Sequence, residues 1–200
     1  MYVKIFSGYI SGDSLSAMEK AKDDDFIRIT TQGTLWKYWK AILDLRLCAD
    51  CRKQHGKIYA MDEIPWVSPP LHENCRCDIL PMEAIFPGGA TKDGVNGADL
   101  WLANHKRLPD YYISKNDLRA LGWHSGKSIA RYAPGKMLFG GIYDNKDGHL
   151  PSAPGRIWYE ADINYYDGRR NKHRILFSND GLIFVTYDHY KTFYEVKLGD

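Results

Sequence analysis

Five short strand-like runs crowd the second half of this chain, at about residues 138–143, 157–162, 174–177, 182–185 and 193–196. They constrain the fold more than any other feature. Turn formers such as Asp167 and Gly168 separate them. Short strands divided by turns predict an antiparallel sheet. Helical segments come first. Residues 98–106 read as a helix, with Leu100, Trp101 and His105 suitably spaced and Pro109 beyond the end. Ser114 is a good N-cap for a second helix over 115–121, with Asp117 in its first turn and Gly122 closing it. Residues 127–132 read as a short third helix. Helices followed by strands give an α+β domain, with N-terminal helices packed on an antiparallel β-sheet.

The strands carry chemistry. Glu160 lies in the second run, a basic cluster (Arg169, Arg170, Lys172, Arg174) follows the turn, and His189 and Tyr190 follow the fourth run. Each residue alone has a plain reading: a solvated carboxylate, a hydrated basic surface, a structural histidine. Jointly they make a set that cleaves RNA without a metal. A carboxylate takes the 2′-hydroxyl proton, guanidiniums stabilise the crowded phosphate, and an imidazole protonates the leaving 5′-oxygen. Arg rather than Lys suits bidentate phosphate contacts. No metal-binding catalytic cluster stands near Glu160, which counts against a DNA nuclease.

The same stretch resembles the barnase-like, guanyl-preferring bacterial ribonucleases. The strings GR-x-W-x-EADINY (155–165), RN-x-x-RIL (170–176) and DHY-x-TF (188–193) carry the likeness. Upstream, LPD-x-YI-x-K (108–115), ALGW (120–123) and APGK (133–136) match in the same order. The resemblance covers residues 98–197. It implies cleavage through a 2′,3′-cyclic phosphate, with Glu160 as general base and His189 as general acid. It makes Arg174 and Arg170 the phosphate-binding arginines, Lys115 the lysine that stabilises the transition state, and Tyr190 a substrate contact. It also makes Asp144, Asn145, Lys146 and Asp147 the guanine-recognition loop; Lys146 and Asp147 stand where that family commonly has Arg and Glu. Gly141 replaces an acidic residue that usually neighbours the lysine. Arg156 and Asp180 match a structural ion pair, and Asp162 is expected to hold Arg170 or Arg174. Trp101, Trp123 and Trp158 are read as core.

The charge is uneven. Residues 98–200 hold 15 Lys/Arg against 12 Asp/Glu, a net +3, and the first 97 residues hold 12 against 13, a net −1. The basic excess lies on the half that would meet a polyanion.

All four cysteines fall between Cys48 and Cys77. That spacing favours a local metal cluster over a disulfide framework. Cys48-x-x-Cys51 and the group His72, Cys75, Cys77 form two ligand clusters separated by a loop, as a tetrahedral zinc site needs. His72, Cys75 and Cys77 compete for two places, with His55 a weaker candidate. Four protein ligands leave no open position, so this zinc is structural and catalysis needs no cofactor. The strings LD-x-R-x-C-x-x-C-R (43–52), HGKIY (55–59) and PPLH-x-NCRC (69–77) resemble the Mu F-like phage head-morphogenesis family. In that family a larger helical region, reduced here, usually comes first. Residues 34–47 have apolar residues at both helical and alternating spacings; the resemblance favours a strand over 35–43.

Ser16 and Glu19 suggest a capping box opening a short helix through Ala17, Met18 and Ala21 that ends near Asp23-Asp24-Asp25. Residues 86–97, rich in Gly and turn formers, read as a linker. The expected organisation is a small, truncated zinc module at 1–85, a linker at 86–97 and a ribonuclease domain at 98–200. No apolar run approaches the roughly 18 residues of a membrane span, and the N-terminus lacks the pattern of a signal peptide. The leading expectation is an endoribonuclease toxin, encoded on a phage-like element and delivered or secreted to act in a target-cell cytoplasm. Its partners would be RNA and an acidic, barstar-like immunity protein covering the basic cleft. The alternative is a non-enzymatic phage head or packaging protein.

Overall fold

The computed structural model describes residues 29–30 and 35–197. The possible helix after Ser16 lies outside them. Among the described residues the chain forms a mixed α+β fold, mostly strands, in two sheets. The larger has eight strands and the smaller has three.

The first half supplies β1 (Ile29–Thr30), β2 (Trp36–Lys40), helix α1 (Ala49–Gln54), β3 (Ile58–Ala60), β4 (Asp78–Pro81) and β5 (Ala84–Ile85). The ambiguous 34–47 segment is therefore a strand at its start. Strand β2 is the centre of the small sheet, antiparallel to both β3 and β4. Helix α1 is one short turn and a half, capped by Cys48, whose sulfur accepts from the Cys51 N–H.

The second half supplies α2 (Ala98–His105), β6 (Tyr112–Ser114), α3 (Lys115–Ala120), β7 (Met137–Tyr143), β8 (Trp158–Asp162), β9 (Arg174–Ser178), β10 (Ile183–Thr186) and β11 (Tyr194–Val196). The Ser114 hydroxyl accepts from the Asp117 N–H at the start of α3, satisfying one of the free amides of the first turn. Strand β6 pairs parallel with β7. The expected helix over 127–132 is not formed. Its backbone is drawn to side chains instead: Trp123 Nε1 donates to the Lys127 carbonyl at 2.9 Å, and Ile129 N donates to the Tyr165 hydroxyl at 2.9 Å. The segment is a run of turns around the buried Ile129.

Alternation along the strands gives the large sheet two distinct faces. One face carries Ala161, Ile175, Val185 and Val196, packed with Ala98, Leu102 and Ala103 of α2. The other carries Trp158, Glu160 and Asp162 of β8, opposite Ser178, Leu176 and Arg174 of β9. At one end of this second face, Trp158, Leu176 and Phe184 form a core that also contains Ile58 and Met82 from the first half. Trp36 meets Phe184 edge to face at 5.8 Å, the arrangement aromatic quadrupoles favour. The two halves thus share one hydrophobic cluster.

They also share the large sheet, of order β1-β5-β11-β10-β9-β8-β7-β6, because β5 runs parallel to β11. The stretch 86–97 between them is tied down. Asp99, fully buried, accepts from Gly88 N, Ala90 N and the Thr91 hydroxyl at 2.7, 2.9 and 2.7 Å. A side chain at Gly97 would lie 2.0 Å from Thr91 Oγ1, so only glycine fits there.

Candidate active site and metal-ligand cluster

The second face of the large sheet, beyond the shared core, holds the reactive side chains. Asp162, 1% exposed, ends β8 and binds both arginines: Arg170 through Nε at 2.6 Å and a second guanidinium nitrogen at 2.5 Å, and Arg174 at 3.2 Å. The expected choice between them resolves into a shared carboxylate. Removing one partner of so buried a pair costs on the order of 3–5 kcal/mol, because a charge is left unpaired. Arg174 is further fixed by the carbonyls of Asn171 and His173, at 2.9 and 2.6 Å. Both guanidiniums are thereby oriented before any ligand arrives.

Glu160 sits two residues before Asp162 and so on the same face. A bulge in β7 between Phe139 and Gly141 faces it. At Gly140 a Cβ would lie 2.6 Å from both Cγ and Oε1 of Glu160, so the missing side chain makes the carboxylate's space. The Tyr190 hydroxyl donates to Glu160 Oε2 at 2.5 Å. Burial and this carboxylate hold the Tyr190 phenol well above the ordinary tyrosine range.

His189 is exposed, and its ring centroid lies 4.7 Å from that of Tyr190. Both residues take left-handed backbone conformations, at φ 65° and 67°. Such conformations cost about 1 kcal/mol or more each and persist where surrounding bonds impose them. Here Asp188 clasps the loop, accepting from the Thr186 hydroxyl, Lys191 N and Thr192 N. Tyr190 N donates to the Thr186 hydroxyl at 3.0 Å and His189 N to the Lys172 carbonyl at 3.2 Å. Burial, then the Arg174 charge, holds the His189 imidazole below its ordinary value, opposed by Glu160.

Lys115 is exposed at the first position of α3. It follows Ser114, which pairs with Phe139 just before the bulge, so its backbone lies at the same sheet edge as Gly140. The 144–148 loop leaves the end of β7. Asn145, at φ 48°, clasps it by donating to the Leu150 carbonyl at 2.8 Å and accepting from Leu150 N at 3.0 Å. Lys146 pairs with Asp144 at 3.1 Å, and both they and Asp147 are exposed. Arg156 pairs with Asp180 at 2.8 Å. Trp123 and Trp158 are buried; Trp101 is half-buried, under the Arg107 guanidinium.

Gly140 and the Asp188 clasp were not singled out by sequence reasoning. Two adjacent glycines inside a strand-like run signal a bulge or a close approach, and that signal was present at Gly140-Gly141.

In the first half, Cys48 and Cys51 Sγ lie 3.3 and 3.2 Å from His72 Nε2, and Cys51 Sγ lies 3.7 Å from Cys75 Sγ. Two overlapping groups could hold a metal: Cys48, Cys51 and His72, and Cys51, Cys75 and Cys77. Ligand bonds of about 2.3 Å to sulfur and 2.1 Å to nitrogen make tetrahedron edges of about 3.5–3.8 Å. The sulfur–sulfur separation fits that size and the two sulfur–nitrogen separations fall a few tenths of an ångström short of it, so the donor set suits a tetrahedral ion. The Cys51 amide holds the Cys48 thiol below its ordinary range, and the Cys77 amide lowers Cys75 to about 7. His55 stands apart, accepting from Ala41 N through Nδ1 at 3.0 Å.

Residues 100–197 match the ribonuclease family model. A ribonuclease of Heyndrickxia coagulans is 51% identical over 108 residues, which are 54% of this chain and 96% of that protein. The chain belongs to the ribonuclease family. Ribonucleases of Bacillus intermedius and Bacillus pumilus are also 51% identical over 108 residues, and the match spans 65% of their length. Residues 12–80 of this ribonuclease-family chain match a second model, the Phage Mu protein F like protein. No helix among the described residues is long and apolar enough to cross a membrane.

Proposed function

We propose that this chain is an endoribonuclease that cleaves single-stranded RNA by transphosphorylation, without a catalytic metal. The observation that carries the reading is the Asp162-bound arginine pair beside Glu160 and His189, with Tyr190 touching both. In the first step Glu160 accepts the 2′-hydroxyl proton as the 2′-oxygen bonds to phosphorus. The bond from phosphorus to the 5′-oxygen breaks, and His189 donates a proton to that oxygen. The 2′,3′-cyclic phosphate is then opened by water with the roles exchanged: His189 takes the water proton and Glu160 returns one to the 2′-oxygen. Arg170 and Arg174, already oriented, stabilise the charge on the equatorial oxygens, and Lys115 adds a cation from the neighbouring edge. Backbone amides of the 144–148 loop and the exposed carboxylates of Asp144 and Asp147 read guanine ahead of the cleaved bond. Identity to the named ribonucleases across this whole region supports these assignments.

We further propose structural zinc on Cys48, Cys51, His72 and one of Cys75 and Cys77. Those residues would hold the ion between α1 and the 72–77 loop and so tie the two together. The organisation is a Mu F-like module up to about residue 85 and a nuclease domain from about residue 98. The Mu F match favours a phage-like element as the source. A nuclease carried there would act as a toxin, delivered to a target-cell cytoplasm and held in check in the producer by an acidic, barstar-like immunity protein.

The test is cleavage of a guanosine-containing RNA dinucleotide by zinc-loaded protein dialysed free of unbound metal. A 2′,3′-cyclic product is expected, with Glu160→Ala and His189→Ala each slower by about 10²–10⁴-fold. Folded wild-type protein that leaves the dinucleotide intact would overturn the reading in favour of a non-enzymatic phage-head role.

A further inference from the structure

The Mu F-like half touches the nuclease at one particular place. Ile58 N donates to the His149 carbonyl at 2.8 Å, beside the 144–148 loop. Gly56, at φ 83°, lies so close that an added Cβ would stand 3.2 Å from the Lys191 carbonyl and 3.9 Å from the His149 ring. The segment 56–58 therefore abuts both loops that flank the site, the one before Leu150 and the one carrying His189. Ile58 is 5% exposed, in the cluster with Leu150. From inside, the loop is held by the Asn145 clasp.

The same segment is the continuation of the cysteine-bearing helix. Cys48 caps α1 and Cys51 lies within it; the His55 amide that closes it donates to the Cys51 carbonyl. Gly56 N then donates to the Trp39 carbonyl at 2.9 Å. Two residues on, the chain reaches His149. A rigid path of about seven residues thus joins a metal ligand to the loop. The Heyndrickxia ribonuclease, 96% of which is accounted for by the match, has no room for such a module. The contact is an addition to the nuclease, not a requirement of its chemistry.

We infer that the segment Gly56-Lys57-Ile58, anchored by a metal ion on the cysteine cluster, is a positioning element for the base-reading loop. Metal binding then sets how tightly the loop is ordered and so how well it holds guanine. This rests on the assignment of residues 144–148 to base recognition. The groups that do the chemistry are fixed independently by Asp162 and Asp188, so binding should respond more than turnover.

The experiment compares zinc-loaded full-length protein, protein stripped by a chelator, and zinc-loaded Gly56→Ala. It reads amide hydrogen exchange at residues 144–150 together with KM and kcat for guanosine and adenosine dinucleotides. Stripping should speed exchange in the loop and raise KM for the guanosine substrate about tenfold or more with kcat nearly unchanged, and zinc should restore both. Gly56→Ala, with all ligands present, should speed exchange at residues 144–150 without losing zinc. Loop exchange and KM unchanged in folded stripped protein would overturn the inference. If stripping unfolds the chain, an unperturbed, zinc-replete Gly56→Ala overturns it. Altered loop exchange with no base preference in the wild type would sink the base-recognition assignment and leave the mechanical coupling standing.

Discussion

Gly140 shows how much a missing side chain can do. Its neighbour across the bulge is the Glu160 carboxylate, and the space a methyl group would fill is the space that carboxylate occupies. Glu160 has a flexible end, so Gly140→Ala should be accommodated by displacing it rather than by unfolding the strand. The expected outcome is a fall in kcat/KM of about 10²-fold, the scale on which a misplacement of about 1 Å acts, with the melting temperature nearly unchanged. Steady-state kinetics and thermal melts on the same variant check it. The residues that carry charge were readable in the sequence because charge chemistry needs particular types: Glu160, Arg170, Arg174 and His189 all reach one face. What their side chains lean on was not readable. The two left-handed residues at 189 and 190 are imposed by Thr186 and Asp188 through bonds that no local pattern announces.

At the scale of elements, the contact between segment 56–58 and the nuclease brings two half-buried histidines together. His55 is held below its ordinary value by burial and then by His149; His149 is held down by burial and Lys57, against Asp147. Both pKa values are lowered on folding, so the unfolded chain binds more protons than the folded one between the folded values and about 6.5. Stability is therefore full above that range and is lost as the pH falls through it. His149→Phe should flatten this acid limb, measured as denaturant midpoints from pH 5 to 8. Elements with local signals were legible. Ser114 caps α3 as its sequence implies, and all five strand-like runs match β7 to β11 within a residue or two. The 127–132 segment was not, because Trp123 and Tyr165 claim its backbone from a distance. Strand β6 has three residues, too few for a period to show.

For the whole molecule, a core that mixes Ile58 and Met82 with Trp158 and Phe184 couples the two halves. The sequence divides cleanly by charge and motif, and nothing in that division foretells a common interior. Docking depends on residues far apart in the chain, and composition is blind to it. One cooperative unfolding transition is expected, followed by intrinsic fluorescence and by activity together. Trp36→Ala, in the first half, should lower the stability of the nuclease by on the order of 2 kcal/mol, through lost burial and the lost aromatic contact with Phe184. Two separate transitions, with the upper one unmoved by the substitution, would contradict a shared core.

The parallel pairing of β5 with β11 also bears on how the molecule is made. Residues 84–85 leave the ribosome about 110 residues ahead of the strand they lie against. At about 5–20 residues per second, that is a wait of roughly 5–20 s. Until the last strand emerges the sheet is open at that position, and the loop bearing His189 has only just been synthesised. A nascent chain therefore carries Glu160, Arg170 and Arg174 out of the ribosome about 15–29 residues before His189, the histidine that joins them on the folded sheet.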